Sequence, residues 1–250
     1  MHPALSKSIG QIRSRTQSEI NDVVIWSRVA KQALDEKAKD AKFLKAGVFP
    51  VPSHKPAKTV FRHEDEVQAI LSEAATTKLY WSVLVYLVSR VESAIGDILR
   101  AFLRADPRRL LIDAAGKKIE FRTVVESDGY SELLEQMIAT QLHDTSYLRP
   151  SQQIEYFEKV TGIEMDQRLA ADWIEIKATR DILVHNDGIA NEIYAAKAAK
   201  KSRVAVGVPL PIDSTYFTHG ALTMKLLIGR ACSTIQANLK PKKHAAKPRA

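Results

Sequence analysis

The stretch EIKATRDILVHNDG, residues 175–188, sets an arginine on an apolar helical stripe. Leu169, Trp173 and Ile176 recur at three-to-four spacing, Leu183 and Val184 resume the stripe, and Arg180 stands between them. His185 follows five positions later, with Asn186, Asp187 and Gly188 behind it. A guanidinium grips phosphate oxygens and stabilises charge developing on them, while an imidazole moves protons near neutral pH. The pair suits cleavage of a phosphate ester.

A helix turns about 100° per residue, so Arg180 and His185 point about 140° apart and do not share a face. Asp181 and His185, four apart, do share one. Asp181 is therefore expected to accept a hydrogen bond from one ring nitrogen and fix the imidazole tautomer. Asn186-Asp187-Gly188 reads as a helix stop, with Gly188 in the left-handed position. Because the arginine and the histidine diverge on one helix, a second copy related by a two-fold axis would supply the missing groups. The spacing also fits a plainer reading, in which Arg180 is salt-bridged within the fold and His185 caps the helix. Glu92, four after Val88 and three before Ile95, lies near the stripe of its own helix and is one partner for Arg180.

Other chemistries find less footing. His63-Glu64-Asp65-Glu66 reads as the acidic first turn of a helix rather than a metal site. There is no His-Glu-x-x-His, and the single Cys232 cannot build a thiolate zinc site. No glycine-rich phosphate loop is present, and no serine carries a nucleophile signature. His143 and His219 suit surface or capping roles, and Tyr194 and Tyr216 suit packing, with either tyrosine able to border a cleft.

These residues need a helical scaffold to hold them. Residues 6–44 are helix-forming, with Ile9, Ile12, Ile20, Val23, Val24, Val29 and Leu34 loosely at three-to-four spacing. GVFPVPSHKP, residues 47–56, has three prolines and reads as a linker or extended connection. The strongest helical pattern spans 63–105, through Val67, Ile70, Leu71, Ala74, Leu84, Val88, Val91, Ile95, Leu99 and Phe102. Unbroken it would reach about 60 Å, so a kink or break is expected near Thr76-Thr77. Asp106-Pro107 closes it, and residues 110–121 suit a short hairpin around Gly116. Further helices are expected over 130–141, 151–160 and 166–186, then an extended segment over 204–212. Asp213-Ser214 offers the N-cap of a last helix running to Leu239. The resulting fold class is all-α: a helical bundle with a short extended or hairpin insertion and an extra N-terminal helix. The division is an N-terminal helical extension (1–46), a Pro-rich linker (47–62), a helical domain (63–239) and a basic tail (240–250).

The 250 residues are 45% hydrophobic and 26% charged, ordinary for a globular protein with a sizeable core. One cysteine excludes an internal disulfide framework and fits a reducing compartment. No signal segment is visible, and the longest apolar run, 81–88, is far short of the ~20 residues that span a bilayer. A cytoplasmic protein with no membrane partner is expected. The net charge of +8 is concentrated at the ends: residues 1–58 carry +6, residues 240–250 carry +5, and the body between them is −3. Basic ends can steer an RNA at long range, but charge runs of this kind are commonly solvated tails.

The string RDILVHNDGIANEIY resembles the signature of HEPN domains, an arginine, a polar residue, three more residues, then histidine and asparagine. Arg180, Asp181, His185 and Asn186 stand at those positions. IEYFEKVTGIEM resembles the approach to the motif helix in the RiboL-PSP-HEPN-like subgroup. LVYLVSRVESAIGDILRAFLRADP resembles its opening helix, and IDSTYFTHGALTMKLL its closing one. The likeness covers residues 65–239 and leaves the N-terminal segment and the tail unaccounted for. It implies a metal-independent endoribonuclease without cofactor, working as a homodimer with the two motifs face to face. The ribose 2′-hydroxyl would attack the adjacent phosphorus and leave a 2′,3′-cyclic phosphate. By this resemblance His185 transfers protons, Arg180 stabilises the phosphate, Asp181 orients them and Asn186 shapes the cleft; Glu92, read from its own helix, is the supporting residue. RNA, a second copy and a cognate antitoxin or defence-system partner are the partners implied, for a toxin or phage-defence effector. A catalytically silent RNA-binding or assembly protein of the same fold is the alternative.

Overall fold

In the computed structural model, residues 2–54, 58–113 and 116–240 are described. Helix α1 (His2–Lys37) is 36 residues long, about 54 Å. It buries Leu5, Ile9, Ile12, Thr16, Ile20, Val23 and Ser27, a stripe at three-to-four spacing, against the two longest helices of the body. Helix α2 (Ala41–Ala46) is capped by Asp40, whose carboxylate accepts from the Phe43 amide at 3.1 Å. The Pro-rich stretch then folds into a two-stranded antiparallel hairpin, β1 (Val48–Pro50) with β2 (Thr59–Phe61), in which Val48 pairs with Phe61.

Helix α3 (Glu64–Glu73) begins with the acids Glu64, Asp65 and Glu66, favourable at the positive helix end. Glu66 accepts from the His63 amide at 2.9 Å. A π-helical turn, Ala74–Lys78, separates α3 from α4 (Leu79–Ala105), so the expected break falls at Thr76–Thr77. Thr76 contributes by donating to the Ser72 carbonyl at 2.8 Å.

The hairpin expected over 110–121 is absent from its described residues. Leu110 is instead buried at the end of a 3₁₀ turn (Pro107–Leu111), and the short helix α5 (Phe121–Glu126) follows with no residue buried. A hairpin needs one face of alternating residues in the core. Here Leu111, Ile119 and Phe121 all face water, so no such face exists.

Helices α6 (Tyr130–Ser146), α7 (Pro150–Thr161), α8 (Gln167–His185), α9 (Glu192–Ala198) and α10 (Ser214–Asn238) complete the body. Asp213 caps α10 through the Tyr216 amide at 2.8 Å, as its position suggests. Residues 204–212, expected to be extended, form a loop that turns at Val206-Gly207, where Gly207 has φ 85°, and one isolated bridge joins Ile189 to Pro209. The molecule is an all-α helical bundle, with α4 packed against α1, α6, α7, α8 and α10.

Residues on α1 join the same apolar core as those on α4, α8 and α10. Glu19 and Arg90 form a two-bond pair at 2.8 and 3.0 Å that reinforces the α1–α4 seam. The N-terminal extension is therefore packed on the bundle. No helix among the described residues is long and apolar enough to cross a membrane. The basic tail lies outside the described residues from 241 onward.

Candidate functional site

Helix α8 runs through the centre of the bundle. Asp166 caps it, one carboxylate oxygen accepting from the Arg168 and Leu169 amides at 3.0 Å. The Leu169 amide, with the Arg168 amide and Arg230 behind it, holds the Asp166 carboxyl below its ordinary range. The apolar stripe Leu169, Trp173, Ile176 and Ile182 is buried, but so are Glu175, Lys177 and Thr179. Polar groups survive there because each is bonded.

On the side facing α4, Glu92 gathers two cations. Arg180 Nη2 donates to both Glu92 oxygens at 2.9 and 2.8 Å, and Lys177 Nζ lies 2.6 Å from Oε1. Lys177 also donates to Gln153 Oε1 on α7 at 2.6 Å, and its side chain is only 6% exposed. These groups line a cleft of about 270 Å³ whose walls come from α4, α6, α7 and α8. Arg180 thus sits on the apolar stripe with a carboxylate partner ready, which is the bland alternative for this residue. One feature exceeds it: the Arg180 Nε–H is buried and has no acceptor.

The expected Asp181–His185 hydrogen bond is not formed. Asp181 instead meets Lys197 of α9 at 2.9 Å and its own neighbour Arg180 at 3.3 Å. A full cation within reach is a stronger donor to a carboxylate than an imidazole, so Lys197 takes that place. The His185 side chain is exposed at the end of α8 and has no hydrogen-bond or ion-pair partner among the described residues. It is not part of the cleft wall. Asn186 turns away as well, donating to the Ile189 carbonyl at 2.6 Å. Within one chain, Glu92, Arg180 and Asp181 are brought together while His185 and Asn186 stand apart from them.

The stop after His185 is more tightly specified than a glycine alone would make it. Asp187 and Gly188 both have positive φ, 53° and 76°. A Cβ on Gly188 would also lie 2.7 Å from the Trp81 ring. Leu210 donates to the Gly188 carbonyl at 2.8 Å and Ala190 to that of Val208 at 3.0 Å, so the 204–212 segment braces this turn.

That brace is itself anchored by a network that the sequence did not disclose. Glu175 accepts from Tyr194 (3.0 Å), Arg203 (2.9 Å), Thr179 (2.8 Å) and Tyr216 (2.8 Å). Arg203 also stacks on Tyr216, 3.7 Å from its ring centre, and donates to the Pro211 carbonyl at 2.6 Å. Burial, with Glu175 beside it, pushes the Tyr216 hydroxyl well above its ordinary pKa, and burial raises Tyr194 too. Burial works against the Arg203 cation, but Tyr216 and Glu175 more than offset it and raise its pKa. The only local signal was the polar residues Glu175, Lys177 and Thr179 set among the apolar Trp173, Ile176 and Ala178.

No protein-family model matches the chain, and comparison with curated proteins and with solved structures finds no match.

A larger open groove of about 780 Å³ runs between α1 and α4 past Arg15, Arg100 and Arg104. Its three arginines share two carboxylates, Asp97 and Glu135, but they are 34–55% exposed, so water screens the surplus charge and the groove offers less chemistry than the smaller cleft. Among the described residues no group of three or more His, Cys, Asp or Glu side chains is arranged to hold a metal ion.

Proposed function

We propose that this protein is an endoribonuclease of the HEPN type, cutting RNA without a metal ion and acting as a homodimer. The observation that carries the reading is the contrast along one helix. Arg180 is held at a cleft with excess positive charge, while His185, five residues on, is bare to solvent. An imidazole with no partner of its own is available to an incoming hydroxyl. In the proposed step the 2′-oxygen attacks the adjacent phosphorus as its proton passes to His185. The P–O5′ bond breaks, leaving a 2′,3′-cyclic phosphate, and the leaving 5′-oxygen takes a proton from the His185 of the second copy. Arg180 offsets the charge that builds on the non-bridging oxygens.

The two-fold arrangement has a plausible surface. Val184 and Ile189, on either side of His185, are 51% and 41% exposed, and Ile193 is 62% exposed. Apolar residues left uncovered around a polar centre are typical of a contact surface. Such an activity suits a toxin or a phage-defence effector restrained by a cognate partner.

Labelled RNA incubated in EDTA with the wild-type protein and with His185→Ala tests the reading. Cleavage to 2′,3′-cyclic phosphate ends by the first alone is expected, and light scattering should give about twice the 27.9 kDa chain mass. A second reading, a silent RNA-binding or assembly protein, is favoured by the carboxylates that already occupy the Arg180 fork. Equal inertness of both proteins across several RNA types would establish it over the first.

A further inference from the structure

Three features of the cleft beside Arg180 share one explanation. The first is charge. Lys177 and Arg180 share the carboxylate of Glu92 in the cleft wall, and Asp181 behind it divides between Arg180 and Lys197, so three cations meet two carboxylates and one positive charge is left over. A nearly buried lysine without a full counter-charge is costly, and an anion in the cleft would relieve it. The second is the Arg180 Nε–H, buried without an acceptor. An anionic oxygen would answer that as well once the guanidinium turns to open Nε to the cleft.

The third is Gly96, in the middle of α4. A helix-interior glycine costs about 1 kcal/mol against alanine, so its presence asks for a reason. At Gly10 and Gly229 the reason is a close neighbour, a Cβ there lying 3.0 Å from Gln236 and 2.6 Å from Gln17, while at Gly220 it would make ordinary contact with Leu84 at 3.6 Å. A Cβ on Gly96 would meet nothing within 4 Å. It lines the cleft, and its missing side chain leaves the cavity open.

From these we infer that the cleft is a binding site for one nucleotide unit, its phosphate against Lys177 and Arg180 and its base in the space beside Gly96. Leu99, Leu142 and Trp173 supply apolar wall for a flat ring. At about 270 Å³ the cavity is of a size for one such unit and not for a longer segment. Single-stranded RNA is recognised in this manner, with an unstacked base splayed into an apolar pocket. Lys177 is then a second phosphate ligand, which the motif spacing does not reveal. The anion site stands on the charge and the orphan donor alone; its assignment to an RNA nucleotide rests on the ribonuclease reading.

Calorimetric titration of the full chain with the four ribonucleoside 5′-monophosphates, their parent nucleosides and inorganic phosphate tests this. At least one monophosphate should bind about tenfold or more tightly than both its nucleoside and phosphate, a difference of about 1.4 kcal/mol. Gly96→Leu fills the cavity and should abolish that preference. Gly96→Ala, which favours the helix and so keeps the fold, should weaken it less. Lys177→Met should leave nucleoside and monophosphate equal. No monophosphate binding at millimolar concentration, or binding indifferent to Gly96→Leu, overturns the inference, as does phosphate alone binding as tightly as the nucleotide. RNA cleavage that persists unchanged in Gly96→Leu would sink this site and leave the ribonuclease reading standing. Gly96-dependent binding without any cleavage would do the reverse.

Discussion

Helix α8 carries two ionic clusters, two residues apart in sequence and opposite in character. Around Glu175 every charge is matched: one carboxylate receives Arg203, Thr179 and two tyrosine hydroxyls. Around Glu92 and its neighbour Asp181 two carboxylates serve three cations, Lys177, Arg180 and Lys197, a guanidinium N–H is left over, and a cavity adjoins. A saturated network in a low-dielectric interior stabilises one arrangement and has nothing left to offer a ligand. An unsaturated one sacrifices stability at a point where something else can bind. The contrast separates what holds α8 in place from what α8 presents.

Substitutions should fall on either side of that line. His185→Ala should lower RNA cleavage by about two to four orders of magnitude. It should also leave the unfolding free energy within about 0.5 kcal/mol, since the side chain is exposed and unbonded. A large stability loss there would place His185 with the supporting structure. Glu175→Ala should do the opposite, stranding Arg203 and costing about 3–5 kcal/mol in denaturant unfolding. If the midpoint does not move, the network is ornamental and the contrast fails.

Glu92→Gln should cost less, about 1–3 kcal/mol, because the group is part-exposed and an amide keeps some of the bonds. It should also tighten phosphate binding, since Lys177 is then uncompensated and Arg180 keeps only Asp181; weaker binding would mean that Glu92 holds the cations in place for the ligand. The smallest effect concerns pH. The Tyr216 hydroxyl has a folded pKa well above 10, so its proton is lost first from the unfolded chain. Stability should fall as pH rises above 10, and Tyr216→Phe should make that fall shallower in alkaline unfolding curves. An equal slope in both proteins would show the hydroxyl to be solvated rather than locked into the network.

Where a feature depends on neighbours in sequence, it was legible. The apolar periodicity of α4, the break at Thr76–Thr77 and the Asp213 cap are all settled within a turn or two of helix. Glu92 could be named as a partner of Arg180 because a carboxylate near an apolar stripe needs a cation, and few are placed to reach it. Features set by distant pairing were not legible. The hairpin of Val48 with Phe61 hid inside a stretch whose prolines read as a linker. Glu175 meets Arg203 and Tyr216 across 28 and 41 positions. Lys177 carries no signal in its own neighbourhood, and only the approach of α7 and α4 makes it a buried cation. The Asp181–His185 pairing failed for the same cause: helical spacing permitted it, and Lys197, sixteen positions on, pre-empted it.

The glycine pressed against Trp81 has a practical consequence. An indole against the turn that follows His185, with the Lys78 ammonium 4.5 Å from its ring centre, is an optical gauge built beside the proposed site. Whatever settles on that corner, a twin subunit or a strand of RNA, must disturb the light Trp81 emits. Replacing Trp26 and Trp173 by phenylalanine would leave that single voice to be heard.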